Sequence, residues 1–192
     1  MTSGKTNPPA VFFGSGPVAA RSLELLLKHT AIEAVITKPR PAHHRGSVPV
    51  LELAEKVGLK IFTVSSKTEL DQLVESTNFD SKYGILIDFG IIVSQKVIDS
   101  FDSGIINSHF SLLPHLRGAD PITWSIANGD SQTGVSLMLI DKGMDTGQLL
   151  PQQAIDISPN DTSASLTEKL IELSDQLLQQ TIKPYLNGQI TA

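Results

Sequence analysis

The sequence predicts an α/β fold: a mostly parallel, twisted sheet with helices on both faces and an antiparallel strand pair late in the chain. Three observations carry that reading. Short apolar runs alternate with stretches of helical periodicity from Ala10 to Ser108, and strands separated by helix-length segments pair in parallel. Two later strand-like runs, Thr133–Ile140 and Gln148–Ile155, are joined only by the polar link Asp141–Gly147, too short for a parallel crossover, so that pair should be antiparallel. With 192 residues, 40% hydrophobic and 18% charged, the chain can bury a core without cross-links and falls outside the disordered and fibrous classes.

Taken in order, Ala10–Gly14 (AVFFG) is a strand ending in glycine. Pro17–His29 is a helix, with Val18, Leu23, Leu26 and Leu27 at helical spacing and Pro17 in the first turn, where its missing N–H costs nothing. Ile32–Thr37 alternates as a strand, Val48–Val57 is a helix ended by Gly58, and Leu59–Phe62 is a further short strand. Ser66-Lys67-Thr68-Glu69 matches a capping box and opens a helix to about Ser76. Tyr83–Asp88 and Gly104–Ser108 are strands of the buried type. After the late strand pair, Thr162–Ile182 reads as one long helix, with Leu166, Leu170, Leu173, Leu177 and Leu178 on a single stripe.

The chain shows no repeat and no low-complexity linker, so it is expected to hold a flexible N-terminus over 1–9 and a single domain over 10–192. It has no cysteine, which removes disulfides, thiolate nucleophiles and Cys-ligated zinc. A net charge of −5, from 15 Lys+Arg against 20 Asp+Glu, argues against nucleic-acid binding by the whole surface but leaves room for a local basic patch. Met1–Pro9 has no apolar core of a signal peptide, and no apolar run is long enough to span a bilayer. The expected setting is cytoplasmic.

Chemistry in such a sheet gathers beyond the carboxyl ends of the strands. Gly14-Ser15-Gly16-Pro17 turns from strand to helix, but Ala19 stands where a dinucleotide fingerprint needs its third glycine, and the second strand runs into Thr37-Lys38-Pro39 rather than an acid. A plain tight turn is the better reading. Asn107 and His109 lie two residues apart at a strand end, so in extended backbone both side chains point to one side. They are either a turn-capping amide beside a hydrogen-bonded imidazole, or a pair of groups aimed at a reacting carbonyl. Asp141-Lys142-Gly143-Met144-Asp145-Thr146-Gly147 is either an ordinary polar turn or the source of a carboxylate for the same site. Together the amide, imidazole and carboxylate suit acyl transfer to an amine.

The run His109-Phe110-Ser111-Leu112-Leu113-Pro114, followed by Arg117-Gly118-Ala119-Asp120-Pro121-Ile122, Asn128-Gly129-Asp130, Thr133-Gly134-Val135 and Met144-Asp145-Thr146-Gly147, resembles the formyltransferase family, most closely its branch acting on charged initiator tRNA. Val11–Gly14 with Ser22-Leu23-Glu24 resembles that family's opening strand and helix, and the likeness runs from Ala10 to Leu186. The resemblance implies a Rossmann-like formyltransferase fold. It implies catalytic positions at Asn107, His109 and Asp145, with 10-formyltetrahydrofolate as donor and no metal. The donor would lie against Phe89, Gly90, Ile91, Leu113, Ile140, Asp141 and Gly143. The acceptor, initiator methionyl-tRNA, would meet Gly14, Lys38, Arg40, Arg45, Ser111, Arg117 and Gly118.

Departures from the family accompany the match. The chain stops at Ala192, where the tRNA-formylating members go on to a C-terminal barrel. The loop Lys38–Gly46 is shortened, yet it has three Lys/Arg, two His and no acid; it is either a Pro-rich solvated loop or a phosphate-contacting arm. His43-His44 lacks a third ligand for a metal. Asp88-Phe89-Gly90 has an acid where the family more often has a small residue. The competing functions are formylation of an amino-sugar nucleotide, formylation of glycinamide ribonucleotide, and a non-catalytic folate- or nucleotide-binding module.

Overall fold

The computed structural model describes residues 7–41 and 46–191. Its elements are β1 (Asn7–Phe13), α1 (Pro17–Leu26), β2 (Thr30–Thr37), α2 (Pro49–Val57), β3 (Ile61–Thr63), α3 (Lys67–Ser76), β4 (Gly84–Leu86), α4 (Gln95–Asp99), β5 (Ile105–His109), α5 (Pro121–Ala127), β6 (Gln132–Leu139), β7 (Leu149–Asp156) and α6 (Ser163–Leu186). They fall into two compact units, Met1–Ile106 and Asn107–Ala192.

In the first unit β1 pairs in parallel with β2 and β4, and β2 with β3, giving the order β3-β2-β1-β4 with the start of β5 beyond β4. The expected apolar runs form the core: Ala10 to Phe13 and Ala34 to Ile36 are fully buried. Burial pushes the Tyr83 phenol above its ordinary titration range, and its hydroxyl donates to the Pro8 carbonyl at 3.0 Å. Strand β1 starts three residues before the expected Ala10, within the stretch read as a flexible N-terminus. Pro8 and Pro9 disguise it, because they lack the amide hydrogens of a ladder. Asn7 is nonetheless buried, with its backbone N–H on the His29 carbonyl at 3.1 Å and Nδ2 on Thr30 Oγ1 at 3.1 Å. The capping signal at Ser66 is real in structure: Ser66 Oγ accepts from Glu69 N at 3.2 Å, and the Glu69 carboxylate reaches back to the Ser65 N–H at 2.8 Å. Helix α4 was not expected. Its five residues are too few for a period, although Ser94 caps it, accepting from Val97 N at 3.3 Å.

The second unit contains the end of β5, then β6 and β7 in that order, with β6 and β7 antiparallel as expected. Helix α6 packs against β6, β7 and α5. Its leucine stripe is buried throughout, together with Ile171 and Ile182. Ser174 lies on that buried face and shares a 2.7 Å hydrogen bond with Ser108 Oγ of β5. Helix α5 was also missed, being seven residues long; Pro121 in its first turn is the signal that could have found it.

Asp161 fixes the start of α6. Its carboxylate accepts from Lys169 Nζ at 2.7 Å, Ser165 Oγ at 2.8 Å and the Ser158 N–H at 2.8 Å. Lys169 first, then the two other donors, lower its titration to about 2. An unfolded aspartate titrates near 3.9, so this stabilisation is complete above about pH 4 and is lost as pH falls toward the folded value. Asp161→Ala should therefore lower the melting temperature at pH 7, with the gap to the parent protein closing as pH drops from 4 to 2. A gap that stays constant over that range would mean that the carboxylate does not anchor α6.

Among the described residues no group of three or more His, Asp or Glu converges on a point that could hold a metal ion. Among the same residues no helix is long and apolar enough to cross a membrane.

Candidate active site

Asn107, Ser108 and His109 close β5, and the alternation of a strand decides what each one meets. Ser108 turns to α6, while Asn107 and His109 turn the other way, toward the link between β6 and β7. There Asp145 adopts φ = 51°, a left-handed conformation that aspartate, like asparagine, tolerates better than most non-glycine residues. Its carboxylate gathers three groups. Oδ2 accepts from the Gly118 N–H at 2.7 Å and faces His109 Nδ1 at 3.6 Å, while Oδ1 accepts from Asn107 Nδ2 at 3.4 Å. The other ring nitrogen of His109, Nε2, lies 2.9 Å from the Leu116 carbonyl oxygen. Asn107 and His109 are 6% and 7% exposed, so these contacts operate where water screens them little. The structure thus brings together the three residues that the sequence singled out.

Two further devices hold this arrangement, and the sequence reading found neither. Ser136 on β6 accepts from the Leu113 N–H at 3.0 Å and donates to the Ser111 carbonyl. Gln152 on β7 donates to both the Leu113 carbonyl, at 3.1 Å, and Ser136 Oγ, at 2.6 Å. They pin the turn after β5 to the antiparallel pair. In the link itself, Asp141 accepts from Gly143 N at 2.9 Å and Thr146 Oγ1 at 2.8 Å. Gly147 approaches the Leu139 carbonyl so closely that a Cβ there would sit 1.7 Å from its oxygen. Gly118, at φ = 91°, presents its N–H to Asp145 from a backbone conformation that L side chains avoid.

Ser111 is fully buried, its hydroxyl donating to the His115 carbonyl within the turn. Leu113 is buried against the same turn. Asp141 organises the link with both carboxylate oxygens, whereas Ile140 and Gly143 retain exposed surface. Arg117 is exposed and has no ion-pair partner among the described residues.

The first unit has its own cleft, of about 610 Å³, lined by Ser15, Gly16, Lys38, Asp88 and Gly90 with Pro17, Pro39, Pro41 and Pro49. The Ser15 and Gly16 N–H groups both point at the Asp88 carbonyl, at 3.0 and 3.4 Å, and the Asp88 carboxylate lies against Gly16. The amides that would cradle a pyrophosphate are therefore satisfied internally, beside a negative charge, and the turn is not a dinucleotide cradle. Gly14 is buried and donates to the Ile36 carbonyl at 3.2 Å. The Phe89 ring belongs to the core, edge-on to Phe13 with centroids 5.7 Å apart, so only its backbone can meet a ligand. Gly90 is exposed, Ile91 is half-buried, and the Lys38 ammonium lies over Gly90. Arg40 pairs with Glu52 at 3.3 Å and Glu55 at 4.0 Å. Arg45 and the pair His43-His44 lie outside the described residues.

A family model described as formyl transferase matches residues 10–182. The methionyl-tRNA formyltransferase of Elusimicrobium minutum (strain Pei191) is 39% identical over 184 residues, a match covering 94% of this chain and 55% of that protein. The chain thus spans little more than half the length of that relative. Among solved structures, glycinamide ribonucleotide transformylase 1 from Symbiobacterium toebii superposes with a TM-score of 0.80 at 18% identity, covering 99% of this chain and 92% of that one. An N-formyltransferase from Helicobacter canadensis, solved with folinic acid and dTDP-3-aminofucose, gives 0.71 at 24%, covering 96% and 65%. At these identities the two structures share the Rossmann-like formyltransferase fold with this chain.

Proposed function

Because the chain belongs to the formyl transferase family, we propose that it transfers a formyl group from 10-formyltetrahydrofolate to the amino group of initiator methionyl-tRNA, in the cytoplasm. The observation that carries the reading is the convergence of Asn107, His109 and the left-handed Asp145 within hydrogen-bonding or near-contact range. The tRNA acceptor rests on the relative matched at 39% identity. The unbroken match over residues 10–182 supports reading 10–192 as one catalytic domain.

The chemistry follows from the donors present. The acceptor amine attacks the formyl carbon and a C–N bond forms while the carbonyl oxygen becomes negative. Asn107 has a second amide N–H beyond the one on Asp145, and that hydrogen, with the Nδ1–H that His109 carries once its ring has taken up a proton there, stabilises the oxyanion. Asp145 orients His109 and assists removal of the amine proton. Collapse breaks the bond from the formyl carbon to the donor nitrogen, which leaves with a proton. Of the expected donor contacts, Gly90 is exposed and Ile91 half-buried in the first unit; in the second, Ile140 is half-buried and Gly143 exposed.

The direct test follows a labelled formyl group from formyltetrahydrofolate onto charged initiator tRNA. Label should appear on the methionyl amine and vanish when that amine is acetylated beforehand. Label on tRNA whose amine is blocked would overturn the reading.

The acceptor's phosphates must be met locally, because the net charge of −5 repels them. Lys38 and Arg117 have no ion-pair partner among the described residues, whereas Arg40 is engaged by two glutamates. Lys38→Ser and Arg117→Ser should each flatten the salt dependence of tRNA binding by roughly 0.9 in the log–log slope per lost duplex contact. Arg40→Ser should flatten it less. Equal slopes in all three variants and the parent protein would remove the arm and Arg117 from tRNA binding.

A further inference from the structure

His109 has two ring nitrogens, and in the neutral ring only one bears a hydrogen. A backbone carbonyl only accepts, so the 2.9 Å contact to Leu116 O is a hydrogen bond only when Nε2 holds that hydrogen. Asp145 Oδ2, at 3.6 Å from Nδ1, lies beyond ordinary hydrogen-bond range. The Leu116 carbonyl reaches Nε2 from a backbone at φ = 55°, a conformation in which leucine is strained and which glycine adopts freely. Strained backbone of this kind is kept where the surrounding structure requires it. Leu116 shares it with Gly118 and Asp145, the two residues whose N–H and carboxylate meet beside the same imidazole.

We infer that Leu116 is a positioning residue: its left-handed backbone carries its carbonyl to His109 Nε2, which fixes the neutral tautomer and turns the Nδ1 edge toward Asp145 and the reacting formyl group. The last clause rests on the function proposed above, whereas the tautomer does not. The carbonyl does the positioning, so the identity of the side chain at 116 matters only through the φ it permits.

That gives a test in which backbone and side-chain roles predict opposite orders. Leu116→Gly removes the whole side chain but keeps the left-handed φ. Leu116→Val keeps an apolar side chain but is β-branched and disfavours that φ strongly. Imidazole nitrogen-15 spectra of the intact chain, above the pH at which His109 is charged, report which nitrogen bears the hydrogen. The parent protein and Leu116→Gly should both show hydrogen on Nε2, and Leu116→Val should lose that preference. Turnover should stay within a few-fold of the parent for Leu116→Gly and fall about 100-fold for Leu116→Val, the scale of a misplaced catalytic group, with the KM for donor little changed. If glycine is the more damaging substitution while both variants keep the Nε2 hydrogen, side-chain packing explains the position and the inference fails. If Leu116→Val does not fold, the spectrum of the parent protein decides alone: hydrogen on Nδ1 overturns the proposal, and hydrogen on Nε2 retained in Leu116→Gly upholds it. A parent protein that formylates no acceptor yet shows the Nε2 tautomer would contradict the proposed function and leave the role of Leu116 standing.

Discussion

Replacing Asn107 with Ala is expected to slow formyl transfer about 100- to 1,000-fold, the usual cost of losing one oxyanion donor. The fold should survive, and the geometry says why. The bond from Asn107 Nδ2 to Asp145 is 3.4 Å long, near the limit for a hydrogen bond, so its loss removes little native stability. Asp145 keeps its shorter bond from the Gly118 N–H at 2.7 Å and is not left as an unsatisfied buried charge. The effect should therefore appear in turnover and hardly in the melting temperature. Steady-state kinetics beside a thermal melt check it. Near-normal turnover in Asn107→Ala would return the residue to the role of a strand-end amide.

Asp145→Asn should cost more, about 100- to 10,000-fold in turnover, the range spanned by proton-transfer groups. The substitution is clean because asparagine tolerates left-handed backbone as well as aspartate does, so φ = 51° need not change. An amide oxygen can still accept from Gly118. What disappears is the negative charge facing His109 Nδ1 at 3.6 Å. In its place an NH₂ group confronts the donating amide of Asn107 or the imidazole. The pH–rate profile of the variant should differ from that of the parent, because the charge coupled to His109 is gone. An unchanged profile with unchanged turnover would make Asp145 a turn residue only.

The two halves of the site were not equally legible in the sequence. Asn107 and His109 could be read because strand alternation alone puts residues two apart on one side. Asp145 could be placed only through the family resemblance, because its position depends on a left-handed φ within a link whose composition is that of any turn. Leu116 was invisible for a deeper reason: it acts through a carbonyl, which every residue has. Ser136 and Gln152 look like ordinary polar residues of strands, and only the pairing of β6 with β7 reveals that they pin the turn after β5. Ser111 belongs to the recognisable motif, and only the structure shows that the turn draws its hydroxyl inward to the His115 carbonyl.

The fold was legible wherever long apolar periodicity existed, as in α6 and β6, and illegible in short pieces. Helices α4 and α5 hold five and seven residues, less than the span over which a helical period can be recognised. Strand β1 hid behind Pro8 and Pro9. The cleft of the first unit could not be foreseen, because the carboxylate of Asp88 reaches Gly16 from the far end of another strand.

The central claim is formyl transfer by Asn107, His109 and Asp145 onto a methionyl amine held on tRNA. It is tested most directly by offering charged initiator tRNA, an amino-sugar nucleotide and glycinamide ribonucleotide side by side, with one formyltetrahydrofolate donor. The protein should formylate the charged tRNA with the highest kcat/KM, and Asn107→Ala and Asp145→Asn should lower the rate with every acceptor by the factors given above while leaving that order unchanged. Efficient formylation of either small acceptor with none on tRNA would contradict the account.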